Sequence, residues 1–233
     1  MRIAGKASRQ AGFTLVEIAI VLVIIGLLLG GILKGQEMIT QARIKNVVND
    51  FNGVTAAYFS YQDRYKAVPG DDPNGGTRWT SFGAKPGSGN GQIGGLYGAT
   101  PPADPSTINI TTGDETAESV NFWWHLRLAG FIPGPTSGPG AASQPTNAVG
   151  GRVGVQTGAL GLPGLVVCSE NIPDKIAAAA DTQLDDQKSN SGTMRAKDQA
   201  SGGSAVATNT THADAASTFQ ETGSLQYVIC KSV

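Results

Sequence analysis

Few residues in this chain are spaced to do chemistry, and Glu17 is the one most out of place. It is the only ionisable side chain between Phe13 and Leu33, an apolar run of about 21 residues and about 31 Å of helix, the thickness of a bilayer's hydrocarbon. A carboxylate at that depth costs a few kcal/mol or more unless it has a partner. Two further acid groups carry oxygen ligands in loops, Asp71-Asp72 and the trio Asp181, Asp185 and Asp186. Calcium takes six to eight oxygens, which loop carboxylates and backbone carbonyls supply. The competing reading is turn and helix-end chemistry with solvated acids, and neither group has the spacing of an EF-hand. His125 and His212 stand alone, without a second ligand at metal spacing. An ordinary structural histidine is the expectation for His125. Cys168 in "GLVVC" and Cys230 in "LQYVIC" each end a β-branched run. They are either two separate buried thiols or a pair, and export of the domain would favour the pair.

No phosphate loop, nucleophile elbow or histidine pair occurs, so no catalytic residues are assigned and no enzyme is expected. Arg2, Lys6 and Arg9 precede the apolar run with no acid beside them, and the rest of the chain is acidic in balance. That distribution argues against a nucleic-acid partner. The 32 glycines and 12 prolines in 233 residues, with 6% aromatics, point to a loop-rich domain with a modest core.

The elements that position these residues begin with the apolar run. A cleaved secretory signal would have a shorter core and a small-x-small site on its far side. Here "GGILKGQEMITQARIK" continues instead as helix, and the clean break lies before the run, at Ala11-Gly12. Beyond Gly35, Ile44, Val48, Phe51, Thr55, Tyr58, Gln62 and Tyr65 recur at spacings of four and three, an amphipathic stripe with no proline before Pro69. A single helix from Phe13 to about Tyr65 is expected, about 80 Å long, with its second half packed on a domain.

Pro69, Gly70 and Asn74-Gly75 end that helix, and residues 70–113 read as a long surface loop region. "GDETAESVNFWWHLRLAG" reads as a second helix, capped by Thr112 or Asp114 and stopped by Gly130, with Phe122, Trp123, Leu126 and Ala129 on its buried side. Three β-type runs, "GRVGVQTG", "GLVVC" and "SLQYVIC", predict a small antiparallel sheet. The segment from Ile172 to Ala196 opens as a helix with Pro173 in its first turn and closes with Asp181, Asp185 and Asp186 in or near a polar loop, and residues 200–216 read as an exposed loop.

The basic leader followed by "GFTLVE" and a long aliphatic run resembles the class III signal of type IV pilins and type II secretion pseudopilins. The resemblance covers residues 1–35. It implies an α+β fold, a long N-terminal helical spine packed on a small antiparallel β-sheet domain with long loops. It divides the chain into a cleaved leader (1–12), a transmembrane or filament-core helix (13–35), an amphipathic half of the spine (36–66) and a head domain (67–233). It further implies cleavage between Gly12 and Phe13 by the prepilin peptidase, N-methylation of Phe13 by the same enzyme, and assembly through the apolar helices. In such a filament Glu17 would neutralise the Phe13 amine of a neighbouring subunit and set register; a contact across one turn of its own helix is the alternative.

The implied partners are other pilins, the peptidase/methyltransferase and the inner-membrane assembly platform. The implied location is the inner membrane as a precursor, then a periplasmic or extracellular filament. Neither the short domain nor the calcium-loop pattern of the major secretion pseudopilin is present, and no cofactor is expected apart from the calcium reading of Asp181, Asp185 and Asp186. A weaker likeness, in "YKAVPGDDP" and "DTQLDD", is to a group of larger bacterial pilin-like proteins. The other readings are a secretion pseudopilin and a membrane-anchored ligand-binding protein that uses the same leader.

Overall fold

The computed structural model describes residues 14–110, 116–199 and 218–233. Helix α1 spans Leu15–Tyr65, as the absence of proline up to Pro69 predicts. The chain divides into two compact units, Met1–Ala42 and Arg43–Val233. In the first, every described residue of the apolar run is exposed, and the helix is long and apolar enough to cross a membrane.

In the second unit, α1 buries Ile44, Val47, Phe51, Val54, Ala57 and Tyr61. This stripe is rotated from the expected one. Ile44 and Phe51 belong to both, whereas Val48, Thr55, Tyr58, Gln62 and Tyr65 are half-buried at the margin. The reason is chemical: at the disputed turns Val54 is more apolar than Thr55, and Tyr61 more than Gln62, so the seam closes on the first of each pair.

Four strands form one sheet in the order β1-β2-β4-β3: β1 Val153–Ala159, β2 Leu162–Pro173, β3 Met194–Asp198 and β4 Gln226–Ser232. All pairings are antiparallel. Strand β3 departs from the expected polar loop: Met194 and Ala196 are buried while Arg195 and Lys197 are only half-covered, the alternation of an edge strand.

Alternation also separates two apolar layers. Val167, Ile229, Tyr227 and Met194 cluster with the buried side of α1. Val166, Cys168, Val228 and Cys230 cluster on the other face with Tyr97. There Cys168 and Cys230 are direct register partners and form a disulfide.

The other α-helices among the described residues are α2 Gly75–Arg78, α3 Glu118–Leu128 and α4 Asp174–Leu184. Residues 118–127 of α3 are all buried, not one side only, because a third apolar cluster with Val120, Trp124, Ala141 and Ala142 covers its other flank. Ala129 is half-buried and Gly130 has a positive φ of 78°, ending the helix. The expected caps Thr112 and Asp114 lie outside the described residues, as do His212 and the 200–216 loop. The 70–110 region is less superficial than expected, since Asp71, Asp72, Ala84, Ile93, Tyr97 and Ile108 are buried.

Candidate functional site

At the front of α1 the residues of "TLVE" build a reciprocal cap. Thr14 donates to Glu17 Oε2 through its backbone N–H at 2.8 Å and its hydroxyl at 2.7 Å. Glu17 N–H returns a bond to Thr14 Oγ1 at 3.3 Å. This is a capping box, which satisfies helix-end donors that otherwise lack partners. The role of Thr14 was not read from the sequence, although a Thr three residues before a Glu at the head of an apolar run is the signal for it. Glu17 thus has an acceptor role within its own chain. Gly12 and Phe13, the expected processing and methylation positions, lie outside the described residues.

From Leu15 to Leu33 the leucine, isoleucine and valine side chains are 45–85% exposed. Covering each such side chain is worth about 1.5–3 kcal/mol. A Cβ added at Gly26, Gly30, Gly31 or Gly35 would meet nothing within 4 Å, so this surface is open all round. It requires lipid or other apolar helices around it.

Within the head, the acids of "PGDDP" are buried rather than solvated. Asp71 Oδ1 accepts from Ser88 Oγ at 2.9 Å, Gly89 N–H at 2.5 Å and Asn90 N–H at 3.1 Å. Its Oδ2 accepts from Gly91 N–H at 2.7 Å. Glu118 accepts from Ser88 N–H and Gly94 N–H, both at 2.9 Å. Two carboxylates therefore hold the Gly-rich loop 87–95 by its backbone amides, which no regular structure would otherwise satisfy.

Asp72 pairs with Arg78 and accepts from Tyr61 Oη at 2.7 Å and Asn74 N–H at 2.8 Å. Burial pushes its carboxyl up, but these hydrogen bonds outweigh burial and hold it below the ordinary range. With those donors in place, Asp71 and Asp72 act as structural acceptors within the head.

His125 is fully buried. Its Nδ1 accepts from Gly70 N–H at 3.0 Å, and its Nε2 faces Lys85 O at 2.8 Å. The protonated nitrogen is therefore Nε2. Burial pushes its pKa down to about 4, and the ring serves as a neutral bridge between two loops. Gly70 has φ +89°, and a Cβ there would reach Phe122 N at 2.9 Å, so the close approach that the bridge needs excludes other residues.

The third acid group is arranged differently. Asp181, Asp185 and Asp186 each offer a carboxylate oxygen, all within 4.8 Å of one another. Asp181 is fully buried; burial first, then the charges of Asp185 and Asp186, push its pKa up to about 6.

Residues 7–33 match the family model of the prokaryotic N-terminal methylation motif. No curated protein and no solved structure matches the chain. The matched stretch holds the Gly12-Phe13 step, Thr14, Glu17 and the open apolar surface of α1, so this chain carries a prepilin-type leader of the kind found in type IV pilins and pseudopilins.

Proposed function

We propose that this chain is a type IV pilin-like structural subunit that polymerises through its N-terminal helix into a cell-surface filament. The peptidase cuts between Gly12 and Phe13 and methylates Phe13. Residues 13–35 then pass from lipid to the filament core, and the head becomes the outer surface. In the filament Glu17 answers the amine of Phe13 on the next subunit, where a misplaced subunit would leave two dry charges unpaired.

The observation that carries this reading is the methylation motif lying on a helix whose apolar side chains are exposed from Leu15 to Leu33. A capped but uncovered helix of this kind suits successive partners, first lipid and then other subunits. The disulfide between Cys168 and Cys230 supports a head located outside the reducing cytoplasm. The partners proposed are other pilins, the peptidase/methyltransferase and an inner-membrane assembly platform.

Intact-mass analysis of the protein from its native host tests the proposal. The expected mass lacks residues 1–12 and carries one added methyl group. A mature protein that retains those residues refutes it.

A further inference from the structure

We propose that Asp181, Asp185 and Asp186 form a calcium site where α4 meets β3. The three carboxylates converge, with one oxygen from each inside a mutual distance of 4.8 Å. Two oxygens bound to one Ca²⁺ at about 2.4 Å lie at most about 4.8 Å apart, so the trio falls within the span of one ion. Mg²⁺ demands a near-ideal octahedron and gives up water reluctantly, so three loop carboxylates of irregular arrangement suit Ca²⁺ better.

The second observation is the state of Asp181. It is 0% exposed, and its Oδ2 has no hydrogen-bond partner among the described residues, while its Oδ1 accepts from Gln187 N–H at 3.1 Å. Other buried acids of the head are compensated. Asp71 accepts four donors, Asp72 pairs with Arg78, and Glu170, whose Oε2 also lacks a hydrogen bond among the described residues, has its charge answered by Arg152. Asp174 accepts from Lys175 N–H and Gly223 N–H. Asp181 instead faces two more carboxylates, and among the described residues none of the three makes a salt bridge. A buried, half-satisfied acid beside two like charges is unfavourable on its own and favourable around a divalent cation.

The loop is built to keep the acids in place. Asp185 Oδ2 accepts from Met194 N–H at 2.7 Å, the first residue of β3. Asp186 accepts from Lys188 N–H at 3.1 Å and Ser191 Oγ at 2.6 Å. Gly192, at φ +71°, lies under the Asp185 carboxylate, where any side chain would collide with it. With water filling its remaining positions, the ion ties the end of α4 to the start of the edge strand.

The test uses the full chain in detergent micelles, stripped with EGTA and titrated with Ca²⁺ or Mg²⁺ alone by calorimetry and thermal unfolding. One Ca²⁺ per chain is expected, in the roughly micromolar to millimolar range of such sites, with Tm rising with Ca²⁺ concentration. Mg²⁺ should bind at least about tenfold more weakly. Asp181→Asn should weaken Ca²⁺ at least about tenfold, and its Tm in EGTA should equal or exceed that of the unmodified chain. Asp186→Asn, an exposed change that leaves folding intact, should weaken Ca²⁺ at least about threefold. Neither heat nor a Tm shift up to about 10 mM Ca²⁺, equal binding of Mg²⁺, or unaltered binding by both variants would overturn the site. The readout does not depend on leader processing, so its failure leaves the filament proposal standing, and the reverse holds.

Discussion

Tyr61 donates its hydroxyl hydrogen to Oδ2 of Asp72 at 2.7 Å, with both residues buried. The bond ties the last buried residue of α1 to the turn that leaves the helix. Arg78 reaches the same carboxylate and lies 4.2 Å from the centre of the Tyr65 ring. His125 stacks on Tyr61 with ring planes 4° apart.

Replacing Tyr61 by Phe keeps the ring and removes the donor. Asp72 retains Arg78 and the Asn74 N–H, so the loss should be that of one charge-assisted bond, about 1.5–3 kcal/mol. Urea unfolding of the full chain in detergent measures it. An unchanged midpoint would mean that the bond does not hold the helix end.

Acid should loosen the head through His125. Its folded pKa, about 4, lies below the unfolded value of 6.5. The unfolded chain therefore takes up a proton that the folded one refuses. The stability contributed by neutral His125 is complete above about pH 6.5 and is lost as pH falls towards 4, up to roughly 3 kcal/mol in all. His125→Gln should flatten the stability curve across that window while lowering stability at neutral pH. A slope that persists in the variant would assign the effect to other groups.

Glu17 carries two roles that two substitutions separate. Glu17→Gln can still accept from Thr14, as in the bonds at 2.8 and 2.7 Å, and loses only the charge. Glu17→Ala loses both. If charge neutralisation sets register, both variants should be processed yet enter filaments at least about tenfold less well. Normal incorporation of Glu17→Gln with failure of Glu17→Ala would point to the cap instead.

Removing the disulfide by the paired change Cys168→Ala and Cys230→Ala should cost about 2–4 kcal/mol in denaturant. Both sulfurs lie in a buried cluster on the face that Tyr97 covers. Reductant should therefore act slowly on the folded head and quickly in denaturant, as thiol trapping followed over time would show.

The elements with strong period were legible in the sequence. Helix α1, the aromatic core of α3, and strands β1, β4 and the "GLVVC" part of β2 carry apolar or amphipathic patterns, whereas the polar "SENIP" that extends β2 to Pro173 does not. Strand β3 was not legible because "MRAKD" offers only Met194 and Ala196 to the core, and an edge strand needs few apolar residues. The buried side of α1 agrees with the expected one at Ile44 and Phe51 and is displaced by one position at Val47, Val54, Ala57 and Tyr61. At Val47 and Val48 the two residue types are identical, and there only the domain chooses between them.

The polar interior was hidden for a different reason. Asp71 and Glu118 are buried because "GSGNGQIGG" brings free amides inward, and a sequence displays acids but not the amides that receive them. The convergence of Asp181, Asp185 and Asp186 was visible as spacing, whereas the burial and missing partner of Asp181 were not.

Strand β4 follows β3 in the chain yet lies between β2 and β3. Until residues up to Ser232 arrive, β2 has one open side, β3 has no neighbour, and Cys168 has no Cys230 across from it. A head delivered amino-end first must therefore wait with its centre vacant, and nearly all of it has to be handed over before the sheet can zip. During that interval the exposed flank of β2 is the place where a chaperone, or an errant copy of β4, would find its berth.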